Sequence, residues 1–278
     1  MKLTDQEVRE RKLTEAHHAE ARRALEVTGY VIFESVLPAD TVTALHSAFI
    51  ELLEQNMREV GDNRGRQRQG GVPLPIEEPF SDPDVLGNPL AIDLLADLLD
   101  GDITCSYFAS DTPLPGSDYQ PAHRDGKALF PGSAFTVPPY MYELNIPLVD
   151  FRPDNGPLEV WPHTHRVQDI SLAGPNALLL PAAEQRATEV QRFAAGLGPE
   201  PVLMPAGSLL LRDPRMWHRG SPNRSDAPRP MLAIAYNRPW YRFNSVRVSR
   251  GVYDAWPERL QQIFRLASID GELSTEFA

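Results

Sequence analysis

The sequence predicts a mainly β protein, in which a core of short strands is flanked by α-helices contributed mostly by the N-terminal hundred residues. Short β-prone runs separated by turn signals recur from residue 103 onward, which is typical of an all-β sandwich or barrel. Apolar residues at helical spacing occur mainly before that point. The 27 prolines among 278 residues are about twice the average share, which argues against an all-helical bundle and for many turns.

Length, charge and cysteine content restrict the class of protein. The 278 residues allow one large domain or two small ones, at about 150 residues per domain. A net charge of −11 argues against a general nucleic-acid binder, because phosphate contacts need clustered Lys and Arg. The single cysteine, Cys105, excludes an intramolecular disulfide. The charged N-terminus and the absence of an 18-residue apolar run lead us to expect a cytoplasmic protein with neither a signal peptide nor a membrane span.

Three helices are predicted in the first hundred residues, over 4–28, about 40–58 and about 88–99. Thr4 and Glu7 have the spacing of a capping box, which predicts the start of the first helix. A short β-prone run, Tyr30–Phe33, separates the first helix from the second. Residues 61–83 show no periodicity, and we expect them to form a long loop that closes over the substrate.

The β-prone runs after residue 103 are Ile103–Ala109, Gln120–Arg124, Tyr140–Val149, Leu158–Trp161, Ser208–Arg212 and Met231–Tyr236. Residues 168–200, rich in Ala, Leu and Pro, interrupt this series as an insertion. A last helix is predicted over about 254–267. We therefore expect a single domain over 1–278, with a helical part at about 1–100 and the β core at about 101–245.

Among the seven histidines, His123 stands out because Asp125 lies two residues after it. On a strand, residues i and i+2 point to the same face, so these side chains would aim an imidazole and a carboxylate at one point. A second histidine would complete a facial triad, a ligand set that suits ferrous iron and leaves positions open for substrate and dioxygen. The pattern is weak when taken alone, because it also occurs by chance.

A later segment supplies a second histidine and an arginine. His218 follows the run Ser208–Arg212 through a turn, and Arg229 lies eleven residues further on, just before the last run. A guanidinium is a natural bidentate partner for a free carboxylate. The sequence His-Arg-Asp also opens the catalytic loop of protein kinases. That interpretation fails here, because the Asn of that loop and an upstream Gly-rich phosphate loop are missing.

Over roughly residues 20–245, the ordered motifs resemble the phytanoyl-CoA dioxygenase family of Fe(II)/2-oxoglutarate oxygenases. The matching features are the H-x-D of 123–125, the segment Asn155–Arg166 (NGPLEVWPHTHR), the distal His218 with Gly220 and Asn223, and the arginine eleven residues past that histidine. His163 departs from the family's usual glycine, and Ser208 stands where the family usually has Asp. Neither change affects the expected ligands.

The resemblance implies a double-stranded β-helix, a cupin-like jelly-roll, that binds Fe(II) through His123, Asp125 and His218. It also implies 2-oxoglutarate and O2 as cosubstrates, with Arg229 on the distal carboxylate of 2-oxoglutarate and Asn145 as a further cosubstrate contact. The implied reaction hydroxylates or otherwise oxidises an unactivated C–H bond and converts 2-oxoglutarate to succinate and CO2. An aspartate at 125 favours this reaction over halogenation, because the related halogenases carry Ala or Gly there.

The substrate is less defined. We expect a small organic molecule such as an amino-acid derivative or a secondary metabolite, and neither a nucleic-acid nor a membrane partner. Arg64, Arg66 and Arg68 form a local basic cluster, which is more typical of a solvated loop than of a binding site. Six aromatic residues are candidates for the pocket, although each also fits core packing: Tyr107, Tyr142, Trp217, Trp240, Tyr241 and Phe243.

Two other classes of function are compatible with the same ligands. One is a catalytically idle metal-binding jelly-roll that acts as a sensor or binding module, which would not need Arg229. The other is a zinc hydrolase or lyase, which would need a general base near the metal. Release of succinate from 2-oxoglutarate would distinguish the oxygenase from both.

Overall fold

A computed structural model of the chain describes residues 1–126, 129–130, 135–166 and 198–270. Its helices are α1 (Asp5–Glu10), α2 (Glu15–Val27), α3 (Ala39–Val60), α4 (Pro83–Leu86), α5 (Pro89–Leu98), α6 (Arg250–Ala255) and α7 (Glu258–Ile263). Its strands are β1 (Tyr30–Phe33), β2 (Arg68–Pro73), β3 (Thr104–Pro113), β4 (Met141–Pro147), β5 (Leu158–Val160), β6 (Glu200–Pro201), β7 (Leu209–Arg212), β8 (His218–Gly220), β9 (Met231–Asn237), β10 (Arg247–Val248) and β11 (Ser268–Ile269). No helix in these ranges is long and apolar enough to cross a membrane.

Two antiparallel sheets form the β core. The larger sheet has six strands in the order β1-β7-β4-β9-β3-β2, and the smaller one has three in the order β6-β5-β8. A parallel pair, β10 and β11, lies apart from both. This sheet-rich arrangement is consistent with the predicted cupin-like class.

The two faces of the large sheet have different roles. Leu144 on β4 lies opposite Leu211 on β7 and Ile234 on β9, and all three belong to a core cluster shared with the helices. The next residue along β4, Glu143, lies opposite Arg212 and Ala235. Because successive side chains of a strand point to opposite faces, this second row lies on the face that turns away from the helices.

The face of the large sheet that turns away from the helices meets the small sheet. Leu210 and Met231 of the large sheet pack with Leu158 and Val160 of β5 in a second apolar cluster. Burying a side chain of this size contributes about 1.5–3 kcal/mol. The polar residues of the same face therefore lie in the space between two sheets that apolar contacts hold together.

The N-terminal helix predicted over 4–28 is divided in two. Thr4 and Glu7 form the predicted capping box, but the chain leaves the helix at Arg11, which has φ 54°. Thr14 then caps α2 by accepting a hydrogen bond from the backbone N–H of His17. The prediction missed this break because the composition stays favourable to a helix across it.

Three further sequence predictions differ from the structure. The expected loop over 61–83 contains β2, which pairs with β3 through a register shift at Gly70 to Val72. The expected strand Gln120–Arg124 is reduced to a single bridge between His123 and His218. The helix expected over 254–267 is two short helices, because Pro257 separates α6 from α7. The insertion predicted over 168–200 lies outside the described residues, apart from its last three.

Candidate metal centre

Three predicted ligands, His123, Asp125 and His218, lie together at one edge of the space between the sheets. Their ligand atoms lie within 4.8 Å of one another. His218 begins β8, and two backbone hydrogen bonds of 2.9 and 3.0 Å join it to His123. Asp125 follows in a bend, where its N–H donates to the carbonyl of Pro214 at 3.0 Å. The H-x-D pair therefore converges without the regular strand expected for it, because the bridge to β8 fixes His123.

Backbone carbonyls orient both imidazole rings. His123 Nδ1 lies 2.8 Å from the carbonyl of Pro121, and His218 Nδ1 lies 3.0 Å from that of Met216. A carbonyl only accepts, so these contacts favour the tautomer in which Nδ1 carries the proton and Nε2 is available to a metal. The two Nε2 atoms lie 3.6 and 3.1 Å from the carboxylate oxygens of Asp125. Two imidazoles and one carboxylate thus face a common point.

The charges around this point favour the protonation states in which His218 and Asp125 can bind a metal. Burial and the positive charge of Arg212 lower the pKa of His218 to about 4. Burial alone would raise the pKa of Asp125, but the His218 and Arg212 side chains hold it well below its usual value. At neutral pH, His218 is therefore neutral and Asp125 is ionised, as metal binding requires.

Arg212 joins one of the three predicted ligands to residues of β4 in the large sheet. Its Nη2 donates to Asp125 Oδ2 at 2.6 Å and also contacts the carboxylate of Glu143. Its Nε donates to Asn145 Oδ1 at 2.9 Å. Arg212 is buried, and burial raises the pKa of Glu143 well above its usual value.

A cavity of about 510 Å³ opens onto the three ligands and extends to a buried arginine. Arg229 lines it, and its guanidinium lies over the ring of Phe151 at 4.2 Å. Arg229 Nε donates to the carbonyl of Gly156 at 3.1 Å, whereas its buried Nη1 has no hydrogen-bond partner within the described ranges. No ion pair joins Arg229 to a carboxylate in the part of the chain that the structure describes. Among the described residues, Arg229 Nη1 is therefore a buried donor without an acceptor.

A second buried arginine, Arg68 on β2, lines the same cavity. Its Nε donates to the carbonyl of Asp118 at 2.9 Å, and its Nη2 donates to that of Ser221. Burial lowers the pKa of Arg68 to about 10, and burial together with the charge of Arg68 lowers the pKa of Arg229 to about 9. Both groups stay charged at neutral pH, so this end of the cavity attracts an anion.

The other residues singled out in the sequence are divided between cavity and core. Tyr107 and Phe243 line the cavity and stack on each other with ring centroids 6.2 Å apart. Tyr142 belongs to the core shared with the helices, and Trp217 to a small separate cluster. Asn145 is fully buried and does not line the cavity, so its contact with a cosubstrate stays a prediction.

The two histidines of the Asn155–Arg166 motif contact the C-terminal end of α2. His163 Nδ1 lies 2.7 Å from the carbonyl of Val27, and His165 Nε2 lies 3.2 Å from that of Glu26. These carbonyls belong to the last turn of α2, where orphan acceptors need donors. His163 and His165 therefore serve as caps for α2.

The family of the chain follows from a comparison with known proteins. The family model described as phytanoyl-CoA dioxygenase (PhyH) matches residues 25–231. The chain belongs to the phytanoyl-CoA dioxygenase family. Membership implies a non-heme oxygenase that depends on Fe(II) and 2-oxoglutarate.

Solved structures of similar fold include three at low sequence identity. AviO1 from Streptomyces viridochromogenes Tue57 is 23% identical, with a TM-score of 0.56 over 82% of this chain and 97% of that one. EvdMO1 is 22% identical, with a TM-score of 0.56 over 80% of this chain and 50% of that one. SnoK, a non-heme alpha-ketoglutarate-dependent carbocyclase from nogalamycin biosynthesis, is 20% identical. Its TM-score is 0.55 over 81% of this chain and 84% of that one.

Sequence reasoning missed two arginines of the site. Arg212 ends the apolar run Leu209–Leu211, and a charge at the end of a buried strand is a signal that could have found it. The solvated loop expected for Arg64, Arg66 and Arg68 is wrong for Arg68, because β2 places this residue, buried, in the cavity, which Arg64 also lines. Nothing in its local sequence distinguishes it from Arg66.

Proposed function

We propose that this protein is an Fe(II)/2-oxoglutarate-dependent oxygenase that oxidises an unactivated C–H bond of a small organic substrate. One observation carries the proposal: a single cavity joins a two-histidine, one-carboxylate cluster to a buried arginine with an unused donor. The first feature suits ferrous iron, and the second suits the distal carboxylate of a dicarboxylic acid.

His123, Asp125 and His218 would hold the metal. The two rings are fixed by their Nδ1 hydrogen bonds, so that their Nε2 atoms need no reorientation on binding. Bound iron supplies the activation of O2 that couples decarboxylation of 2-oxoglutarate to oxidation of the substrate. An aspartate rather than a smaller residue at 125 keeps three protein ligands and favours hydroxylation or a related oxidation.

Arg229 would bind the distal carboxylate of 2-oxoglutarate, and Arg68 would add a second positive charge at that end. The two guanidiniums are held by backbone carbonyls, which leaves their positive charge uncompensated by any ion pair within the described ranges. An anion entering the cavity would be attracted by both groups. This end of the cavity would thereby set the direction in which the dicarboxylate binds.

The substrate would occupy the end of the cavity lined by Tyr107, Met141 and Phe243. Bound substrate and these side chains together would shield the reacting C–H bond from water, which limits side reactions. Tyr241 packs against Phe243, with their ring centroids 6.0 Å apart. A small organic substrate is also supported by the likeness to SnoK, a carbocyclase from nogalamycin biosynthesis.

Turnover without a substrate tests the proposal. Purified protein with Fe(II), 2-oxoglutarate and O2 is expected to release succinate slowly, and His218→Ala is expected to release none. His18→Ala, a change on α2 outside the cavity, is the matched control and is expected to behave as the parent. Binding of 2-oxoglutarate to Co(II)-loaded protein, measured by calorimetry, adds a readout that needs no turnover.

Two results would contradict the proposal. One is a His218→Ala variant that releases succinate as the parent does. The other is a parent protein that neither binds 2-oxoglutarate in the presence of metal nor releases succinate. The second result, together with tight metal binding, would favour a sensor or binding module.

A further inference from the structure

We propose that Arg212, oriented by Asn145, is a positioning residue that holds the Asp125 carboxylate in place for the metal. The inference rests on the metal-binding function proposed above. It assigns a role to two residues of β7 and β4 that are neither ligands nor members of the small sheet.

Asp125 needs an external support because its own backbone segment is not part of a sheet. It lies in a bend after the single bridge of His123, and its side chain is 34% exposed toward the cavity. The terminal torsion of an aspartate side chain is broad, so an unsupported carboxylate can rotate. Its two oxygens would then lose their placement beside the two imidazole Nε2 atoms.

Arg212 supplies that support from a rigid element. It is the last residue of β7, a strand paired with neighbours on both sides and buried along its length. Its Nη2 donates to Asp125 Oδ2 at 2.6 Å, a charge-assisted hydrogen bond at the short end of the usual range. With Oδ2 fixed in this way, the plane of the carboxylate is set relative to the large sheet.

Arg212 is itself held in orientation by β4. Asn145 Oδ1 accepts from Arg212 Nε at 2.9 Å, and the carboxylate of Glu143 contacts Nη2. The planar guanidinium therefore has its Nε edge and its Nη2 end fixed by separate acceptors two residues apart on one strand. A lysine at 212 could not reproduce this arrangement, because an ammonium group has no fixed fork of donors.

A purely structural ion pair between β7 and β4 would use the same contacts, so the test must separate the two roles. A structural role changes the free energy of unfolding, whereas a positioning role changes metal affinity in protein that remains folded. Loss of a partner that orients a metal ligand typically weakens metal binding by about 10–100-fold.

The experiment titrates metal-free protein with Co(II) and follows the d–d absorbance, with thermal unfolding measured on the same samples. Arg212→Met is expected to bind Co(II) about 10–100-fold more weakly than the parent and to show a changed d–d spectrum. Arg212→Lys is expected to recover part of the affinity. Asn145→Leu keeps every charge and is expected to weaken binding by a smaller factor.

Arg219→Met is the matched control. Arg219 follows His218 directly and also pairs with a carboxylate, Glu159 at 2.6 Å, but on the side of β8 away from the three ligands. This control is expected to bind Co(II) as the parent does. If Arg212→Met does not fold, Asn145→Leu decides the question.

Equal Co(II) affinity and spectra in the parent and in the folded variants at 212 and 145 would overturn the inference. That result leaves the proposed function intact, since the parent still binds metal. A parent that does not bind Co(II) would instead overturn the proposed function itself.

Discussion

Replacing Arg229 by methionine is expected to separate the binding of 2-oxoglutarate from the stability of the protein. Arg229 is buried, forms no ion pair within the described ranges, and has an unused Nη1 donor. Burial and the neighbouring charge of Arg68 lower its pKa to about 9, so the fold disfavours the charged form. Methionine fills a similar volume and can keep the contact with Phe151.

The expected loss of affinity for 2-oxoglutarate follows from the ion pair that Arg229 would form with the distal carboxylate. Removing one partner of a buried ion pair costs about 3–5 kcal/mol, which corresponds to an affinity for 2-oxoglutarate that is weaker by about 10²-fold to several thousand-fold. Arg68 remains in the cavity of the variant and still attracts the anion, so we expect a value near the lower end. Stability should not fall, because an apolar replacement removes the cost of burying an unpaired charge.

The assay combines calorimetry and thermal unfolding. Binding of 2-oxoglutarate to Co(II)-loaded protein is measured without O2 for the parent, Arg229→Met and Arg229→Lys. The lysine variant should have intermediate affinity, because it keeps the charge but loses the fork of donors. The melting temperature of the metal-free methionine variant should equal or exceed that of the parent.

Either of two results would refute this reasoning. An unchanged affinity for 2-oxoglutarate in Arg229→Met would show that this residue does not bind the cosubstrate. A melting temperature that falls by several degrees would show that Arg229 is a structural element of the fold. Arg152→Met, which breaks an exposed pair with Asp154, is the control for loss of an arginine elsewhere.

Three further predictions concern single contacts. Glu7→Gln should lower the free energy of unfolding by about 2 kcal/mol at pH 7, because the buried carboxylate accepts from Thr4 and Thr14 at 2.8–2.9 Å, and the loss should shrink below pH 4. These hydrogen bonds outweigh burial and hold the pKa of Glu7 below its usual value, so the carboxylate stabilises the fold above the usual pKa of a glutamate and less as the pH falls. An unchanged urea midpoint in the variant would contradict this. His165→Asn should reduce the loss of stability between about pH 7 and pH 5.5. Burial lowers the pKa of His165, so the unfolded chain takes up the proton at a higher pH than the folded protein does. An equal pH dependence of the melting temperature in parent and variant would refute this prediction. Gly220→Ala should weaken 2-oxoglutarate binding by about tenfold, or about 1.4 kcal/mol, because its Cβ would lie 2.3 Å from Arg68 Nη1; calorimetry that gives the parent affinity would exclude this.

The sequence predicted the elements whose residues carry their own signal. The strands β4 and β9 lie within two residues of the predicted bounds, because both runs are rich in β-prone residues and are bounded by turn signals. The helix predicted over about 88–99 is present as Pro89–Leu98, because its apolar residues recur at helical spacing. The strand β2 was missed, since its Gln-Gly-Gly-Val-Pro composition has little β propensity and its structure comes from pairing with β3.

The division of the other helices shows the same limit. The break at Arg11 depends on one residue in the left-handed region and on Thr14 as a new cap, while the surrounding composition still favours a helix. The break before α7 was signalled by Pro257, which cannot donate a backbone hydrogen bond, and it could have been predicted.

By itself, the sequence determined the types and order of the residues expected to bind the metal and the cosubstrate. His123, Asp125, His218 and Arg229 are all named by short motifs, because their spacing is local or matches a family pattern. Only the tertiary structure decided what surrounds them. Arg212 lies 87 residues from Asp125, and Arg68 lies 153 residues from Ser221, whose carbonyl it contacts. Such partners are set by which strands pair and by which face each side chain takes. A local signal can mark one residue as unusual, as the charge after Leu209–Leu211 does for Arg212, but it does not name the distant residue that it contacts.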